Sequence, residues 1–161
     1  MEIKLATEIE RKFKVVGIPW TPADIPMNIT QGYISLDSGR TVRVRTEFNP
    51  CYKKATLTIK GEPVDICRTE YEYEIPFGDA LQMLDNGMCI SKLKKRRYNV
   101  KHENHVWIVD EFLGNCSGLI LAEIELTTPN EIWARPDWLG EEVTHDINYF
   151  NSRLTFQPRD E

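Results

Sequence analysis

From Glu8 to Leu126 the chain repeatedly sets a charged or polar residue beside an apolar one. Residues two apart in a strand share a face. Glu8, Glu10 and Lys12 therefore point one way, with Ile9 and Phe13 behind them. The same alternation puts Arg43 and Arg45 against Val42 and Val44, Thr58 and Lys60 against Leu57 and Ile59, and Glu123 and Glu125 against Ala122, Ile124 and Leu126. Glu70, Glu72 and Glu74 share a further face, as do Lys95 and Arg97. With the opening stretch, Ile29–Leu36, Thr41–Thr46, Ala55–Lys60, Thr69–Ile75, Leu93–Val100, Val106–Phe112 and Leu119–Leu126 make eight predicted strands. Asp37-Ser38-Gly39 reads as a tight turn that makes Ile29 to Arg45 a hairpin, and Gly61-Glu62-Pro63 ends the next strand. Helices are fewer. Pro76–Asn86 has Ala80, Leu81 and Leu84 at helical spacing, with Gly87 placed to cap it. Asp137–Glu142 and Asp146–Leu154 are predicted as short helices that cover apolar surface.

A flat antiparallel sheet with one wet face explains alternation. It explains less well the sorting by sign, because soluble surfaces usually intersperse Lys and Arg with Glu. A closed eight-stranded antiparallel barrel, mainly β with a few short flanking helices, accounts for both if its outside is apolar and helix-covered and its lumen polar. Such a lumen is a site rather than a core. Lys12, Arg43, Arg45, Lys60, Lys95 and Arg97, supplied from several walls, repel one another unless a polyanion or facing carboxylates neutralise them. Arginine's planar fork and lysine's compact charge favour a chain of phosphates. Glu8, Glu10, Glu123 and Glu125 supply hard oxygen ligands suited to Mg²⁺ or Mn²⁺.

Length and charge narrow the field. The 161 residues fit one domain, 1–161. A net charge of -5 carries no nucleic-acid signature, and with no signal-like or membrane-length apolar run the expectation is a cytoplasmic protein with neither nucleic-acid nor membrane partner. Cys51, Cys67, Cys89 and Cys116 are widely spaced, without a Cys-x-x-Cys pair, and read as incidental thiols. His102, His105 and His145 show no ligand spacing and read as surface residues; Trp20, Trp107, Trp133 and Trp138 read as packing anchors.

Six segments taken in order carry a resemblance. Glu8-Ile-Glu-Arg-Lys12-Phe, Arg43-Val-Arg45, Leu57-Thr-Ile-Lys60-Gly, Arg68-Thr-Glu70-Tyr-Glu72-Tyr-Glu74-Ile-Pro, Lys95-Arg-Arg97-Tyr and Ala122-Glu123-Ile-Glu125-Leu resemble the signature of the CYTH family, the triphosphate tunnel metalloenzymes, from about Ile3 to Phe156. The resemblance implies an eight-stranded antiparallel tunnel, a divalent-metal requirement and chemistry on a triphosphate. It implies a metal between Glu8, Glu10 and Glu125, with Glu123 helping to hold a second ion, and phosphates gripped by Lys12, Arg43, Arg45, Lys60, Lys95 and Arg97. Arg68 is a further candidate for the ligand, from a tunnel mouth or paired with Glu70; Glu72 and Glu74 are expected to balance tunnel arginines, with direct metal ligation as the alternative. Tyr33 matches a tyrosine that in some relatives sits beside the motif lysine, and is equally well a half-buried strand aromatic. Asp110 is a candidate outer metal carboxylate, although simple alternation puts it on the face of Ile108 and Phe112.

Among reactions open to such a tunnel, hydrolysis of inorganic triphosphate by attack of water on the terminal phosphorus comes first, because charge fills the tunnel-facing positions and leaves no set to read a base. Cyclisation of ATP to cyclic AMP is the runner-up, lowered by the missing His-Phe opening of the adenylate-cyclase branch, and thiamine triphosphate hydrolysis is third. A non-catalytic polyphosphate- or nucleotide-binding barrel is the alternative from another class. A homodimer is left open.

Overall fold

The computed structural model describes residues 7–37 and 39–154; Ser38 of the predicted turn and both ends of the predicted 1–161 domain lie outside the described residues. The strands are β1 (Thr7–Val15), β2 (Met27–Ser35), β3 (Thr41–Asn49), β4 (Tyr52–Lys60), β5 (Cys67–Glu74), β6 (Ser91–His102), β7 (His105–Phe112), β8 (Ile120–Glu125) and β9 (Leu139–Glu142). Helix α1 spans Phe77–Asp85 and α2 spans Asn151–Leu154. The hydrogen-bonded order is β5-β4-β3-β2-β6-β7-β8-β1, and pairing of β1 with β5 closes these eight antiparallel strands into a barrel. Closure is short: Thr7, Glu8 and Ile9 face Thr69, Arg68 and Cys67. Further along β1, Phe13 and Val15 instead pair with the ninth strand.

That ninth strand corrects one expectation. Leu139–Glu142, predicted as helix, is β9, because Leu139 is buried in the outer cluster and Gly140 lies so close to the Lys14 backbone that a Cβ would stand 3.0 Å from its carbonyl. Asp146–Leu154 is likewise not one helix. A 3-10 turn at Ile147–Tyr149 ends at Phe150, whose ψ of 133° breaks the helical path before α2 begins. The remaining elements follow the alternation, with β3 and β4 extended as a hairpin until Asn49 faces Tyr52. Gly87, at φ +80°, ends α1 one residue after its cap, Asn86.

Burial assigns the two faces. On the outside, α1 packs Ala80 and Leu84 on Val44 and Ala55. Phe13, Trp107, Val109, Ala122 and Ile124 form a second outer cluster beneath Leu139, Trp133 and Trp138, with Trp107 meeting Phe13, Trp133 and Trp138 edge to face. Trp20 stacks on Tyr98 at 4.1 Å, so the tryptophans are anchors as expected. The outer face is therefore covered by strand β9 and a tryptophan-bearing loop as much as by helix, and part of it is bare: Ile59, Tyr71 and Tyr73 on β4 and β5 remain exposed. No helix among the described residues is long and apolar enough to cross a membrane.

The inner face is divided along its length. Leu93, Phe112 and Leu121, in phase with Lys95, Asp110 and Glu123, pack with Cys116, Val143 and Leu154 and close one end with apolar side chains. The rest is charged. On the outside Gly32 marks the tightest contact, since a Cβ there would meet Cys89 Sγ at 2.4 Å and Leu84 Cδ2 at 2.9 Å. Gly32→Ala is expected to destabilise the fold by about 1–3 kcal/mol through overpacking under α1, with the urea midpoint as readout; an unchanged midpoint would show that α1 does not sit there.

Candidate active site

Cross-strand register builds the charged lumen pair by pair. Opposite residues in an antiparallel ladder lie side by side on one face. Arg97 faces Asp110, Lys12 faces Glu123, Lys60 faces Glu70, Arg43 faces Thr58, Arg45 faces Gln31, and Glu10 faces Glu125. Every one of these except Glu10–Glu125 is a bonded pair. Arg97 Nε donates to Asp110 Oδ1 at 2.8 Å and its Nη2 to Oδ2 at 2.9 Å. Lys12 Nζ lies 3.3 Å from Glu123, and Lys60 Nζ 3.2 Å from Glu70 and 2.7 Å from Glu8. Arg43 Nη2 donates to Thr58 Oγ1, whose hydroxyl donates to Glu72.

These groups surround a cavity of about 300 Å³. That is the small end of ligand sites. The structure brings together at its walls Glu8, Glu10, Lys12, Tyr33, Arg43, Arg45, Lys60, Arg68, Glu72, Lys95, Arg97, Glu123 and Glu125. Arg68 Nε donates to the Gly61 carbonyl at 2.6 Å and stands opposite Glu8. Glu74 is the exception among the predicted site residues: it is exposed, outside the lining, and forms no ion pair among the described residues. Glu72 reaches Arg43 only through Thr58. The expected balancing of arginines by Glu72 and Glu74 is thus corrected; the carboxylates paired to tunnel arginines are Asp110 and Glu47, the latter 3.4 Å from Arg45. No histidine lines the cavity; His105 instead pairs with Glu131 and His145 with Asp65.

Asp110 carries another correction. Ile108 and Phe112, its alternation partners, face inward rather than outward, so Asp110 does too, 2% exposed, with Lys95 Nζ 2.7 Å away. Burial pushes its carboxyl up, but Arg97 and Lys95 outweigh burial and hold it well below the carboxylate range. Bound on both oxygens by cations, Asp110 is the counter-charge to Lys95 and Arg97 in this arrangement.

Electrostatics separate the acids. Glu8 is lowered by Lys60 and Glu123 to about 2 by Lys12, each against the opposing effect of burial. Glu10 goes the other way, pushed up to about 8 by burial, then by Glu123 and Glu8. Neither Glu10 nor Glu125 forms a side-chain hydrogen bond or ion pair among the described residues. Like charges directly opposite on a sheet are destabilising. On the other side of the lumen, Arg43 has no carboxylate partner and its buried Nε finds no acceptor among the described residues. Arg45 is pushed down to about 10 by burial and by Arg43 and Arg97.

The fit to a divalent ion rests on that donor set. Glu10 and Glu125 are adjacent, uncompensated hard-oxygen donors, with Glu8 one strand repeat away. No group of three acidic, histidine or cysteine side chains among the described residues stands closed on a point, since Glu8 and Glu123 are turned to lysines. The pair Glu10 and Glu125 fits a cation; the other two carboxylates must leave Lys60 and Lys12 to join it.

Sequence reading missed Glu47, Gln31 and Asn151. Gln31 and Asn151 tie this cluster together: Asn151 Oδ1 accepts from Lys95 Nζ at 2.7 Å and from Gln31 Nε2 at 3.3 Å. For Gln31 the signal was present, at the lumen parity of Tyr33 two residues on; Asn151 had none, because it arrives from a broken helix at the far end of the chain.

A closed antiparallel barrel with opposed carboxylate and arginine walls defines a cation-and-polyanion tunnel. The model of the CYTH domain matches residues 6–153, and the chain belongs to that family. The inorganic triphosphatase of Acetivibrio thermocellus is 44% identical over 154 residues, covering 96% of both chains. That of Nitrosomonas europaea is 31% identical, covering 92% of this chain and 96% of its own. A crystal structure of an inorganic triphosphatase superposes with a TM-score of 0.65 at 27% identity, over 94% of this chain and 97% of that one. Family membership brings a divalent-metal requirement with it.

Proposed function

We propose that the protein is a metal-dependent inorganic triphosphatase, acting as one domain over residues 1–161 on tripolyphosphate with Mg²⁺ or Mn²⁺. The observation that carries this is the opposition of two uncompensated walls: among the described residues, Glu10 and Glu125 form no ion pair and the buried Nε of Arg43 has no acceptor. A lone polyanion satisfies only the arginine side and a lone cation only the carboxylate side. A triphosphate carrying a divalent ion satisfies both. Two relatives that share nearly the whole chain are named inorganic triphosphatases, which supports the same substrate here.

Glu10 and Glu125, joined by Glu8, would hold a divalent ion, which would supply positive charge to phosphate oxygens and acidify water. Glu123, paired to Lys12 in this structure, would be the carboxylate available to a second ion. Arg43, Arg45, Lys12, Lys60, Lys95 and Arg97 grip the phosphates, with Arg68 beside Glu8 and the Tyr33 hydroxyl as a further donor. Water attacks the terminal phosphorus in line; the new P–O bond forms as the bridging P–O bond breaks, releasing phosphate and pyrophosphate. Negative charge on the equatorial oxygens is met by preplaced guanidinium and ammonium groups, so no side-chain nucleophile is required.

The test is a panel of tripolyphosphate, ATP and thiamine triphosphate with Mg²⁺ and Mn²⁺, following phosphate, pyrophosphate and cyclic AMP. Tripolyphosphate is expected to give the highest kcat/KM, with equal yields of phosphate and pyrophosphate at first turnover. Cyclic AMP from ATP would make the cyclase reading correct. Thermal stabilisation by tripolyphosphate without turnover would make the protein a binder.

A further inference from the structure

We propose that Gln31 is a positioning residue that fixes Arg45 and Tyr33 in the tunnel wall without adding a second carboxylate to the one, Glu47, that Arg45 already meets. The inference rests on the triphosphatase reading and adds to it a residue to which the resemblance assigned no role. Gln31 is fully buried. Its Oε1 accepts from Arg45 Nε at 3.1 Å and Nη2 at 2.9 Å, and its Nε2 donates to the Tyr33 hydroxyl oxygen at 3.0 Å and to Asn151 Oδ1. The amide orientation follows from chemistry, because a guanidinium has donors only and must face the carbonyl oxygen. All the hydrogen-bonding capacity of the amide nitrogen is thereby used, and Tyr33, already an acceptor, keeps its own proton to donate into the cavity it lines.

The comparison within the same wall is Arg97. Asp110 holds Arg97 through two N–H groups on two oxygens, and Gln31 holds Arg45 through two N–H groups on one oxygen. Both partners come from the adjacent strand by register. The first contact neutralises its arginine and the second does not. A buried polyanion is bound by net positive charge, so an amide at position 31 keeps Arg45 available where a carboxylate would consume it. The charged groups about Arg45 are Arg43 and Glu47 on its own strand and Arg97 and Asp110 on β6 and β7, and Glu47 makes an ion pair with its Nη1.

Gln31→Glu keeps shape and both contacts from Arg45 while adding the charge and giving up the amide's donation to Tyr33 and Asn151; Gln31→Met keeps approximate size and removes all four contacts. For tripolyphosphate, Gln31→Glu is expected to raise KM about tenfold with kcat changed less than about threefold. Its calorimetric affinity for tripolyphosphate in the presence of Ca²⁺ is expected to fall by a similar factor. Gln31→Met is expected to show the reverse split, with kcat lowered about tenfold and KM nearly unchanged, because Arg45 stays charged but loses its set direction. An active wild type matched in KM and affinity by Gln31→Glu overturns this inference alone. A wild type inert toward tripolyphosphate overturns the triphosphatase reading and this one together. If Gln31→Glu does not fold, Gln31→Met decides: wild-type kcat and KM in that variant reject the role.

Discussion

Replacing Glu10 with glutamine is expected to lower kcat for tripolyphosphate by at least about 100-fold at saturating Mg²⁺, a loss at the upper end for groups that tune a metal site. Glu125→Gln is expected to do the same. Either substitution keeps the shape of the side chain and removes one of two facing carboxylates that have no ion-pair partner among the described residues. A near-normal rate in both variants would remove the metal from this wall. A second readout separates charge from shape. Glu10 is pushed up to about 8 by burial and by Glu123 and Glu8. A carboxyl raised in the folded state binds more protons folded than unfolded across that interval, so stability is full below the ordinary carboxylate pKa and is lost as pH rises toward 8. The metal-free wild type, held in chelator, is therefore expected to lose thermal stability between about pH 4.5 and pH 8. Added divalent ion should suppress that loss, and Glu10→Gln should lack it without any ion. A chelated wild type with a flat profile over that range would contradict the isolation of Glu10.

Why the fold and most of the site were legible from sequence follows from the period of two. Parity alone places Arg43, Arg45, Lys60, Lys95 and Arg97 on one face, and the register of a closed antiparallel sheet then turns that face inward. Parity does not say which face is inner where both carry apolar residues. On β7, Ile108 and Phe112 made the Asp110 face look like an outside, whereas the inner wall becomes apolar at its closed end and needs Phe112 there. The predicted helix at Asp137–Glu142 failed for a tertiary reason, an edge of β1 left open beyond β5 that β9 fills. Pairing partners were not legible at all. Glu74 has the parity of Glu70 and Glu72 but forms no ion pair among the described residues, and Asn151 reaches Lys95 across 56 positions.

Asp110→Asn is expected to destabilise the protein by about 3–5 kcal/mol, the usual cost of removing one partner from a buried ion pair. For a chain of this size that is on the order of 10 °C in Tm. Lys95, 1% exposed, and Arg97 both rest on this one carboxylate, and Arg45 lies in the same cluster. With the charge gone, cations from two strands face one another in a place water cannot screen, and an asparagine carbonyl accepts a hydrogen bond without answering the repulsion. Two compensations distinguish this from simple loss of packing. Lys95→Met in the Asp110→Asn background should recover part of the lost Tm, since it removes one of the stranded charges. Tripolyphosphate should stabilise Asp110→Asn by more degrees than it stabilises the wild type, because the added anion takes over the counter-charge. The acid limb should change as well. A carboxyl held below its ordinary range contributes stability above that range that is lost as pH falls through it, so the wild type should lose this part below about pH 4 and Asp110→Asn should not. An Asp110→Asn protein melting within about 2 °C of the wild type would show that the two cations do not depend on Asp110, and the tunnel would then be neutralised from elsewhere.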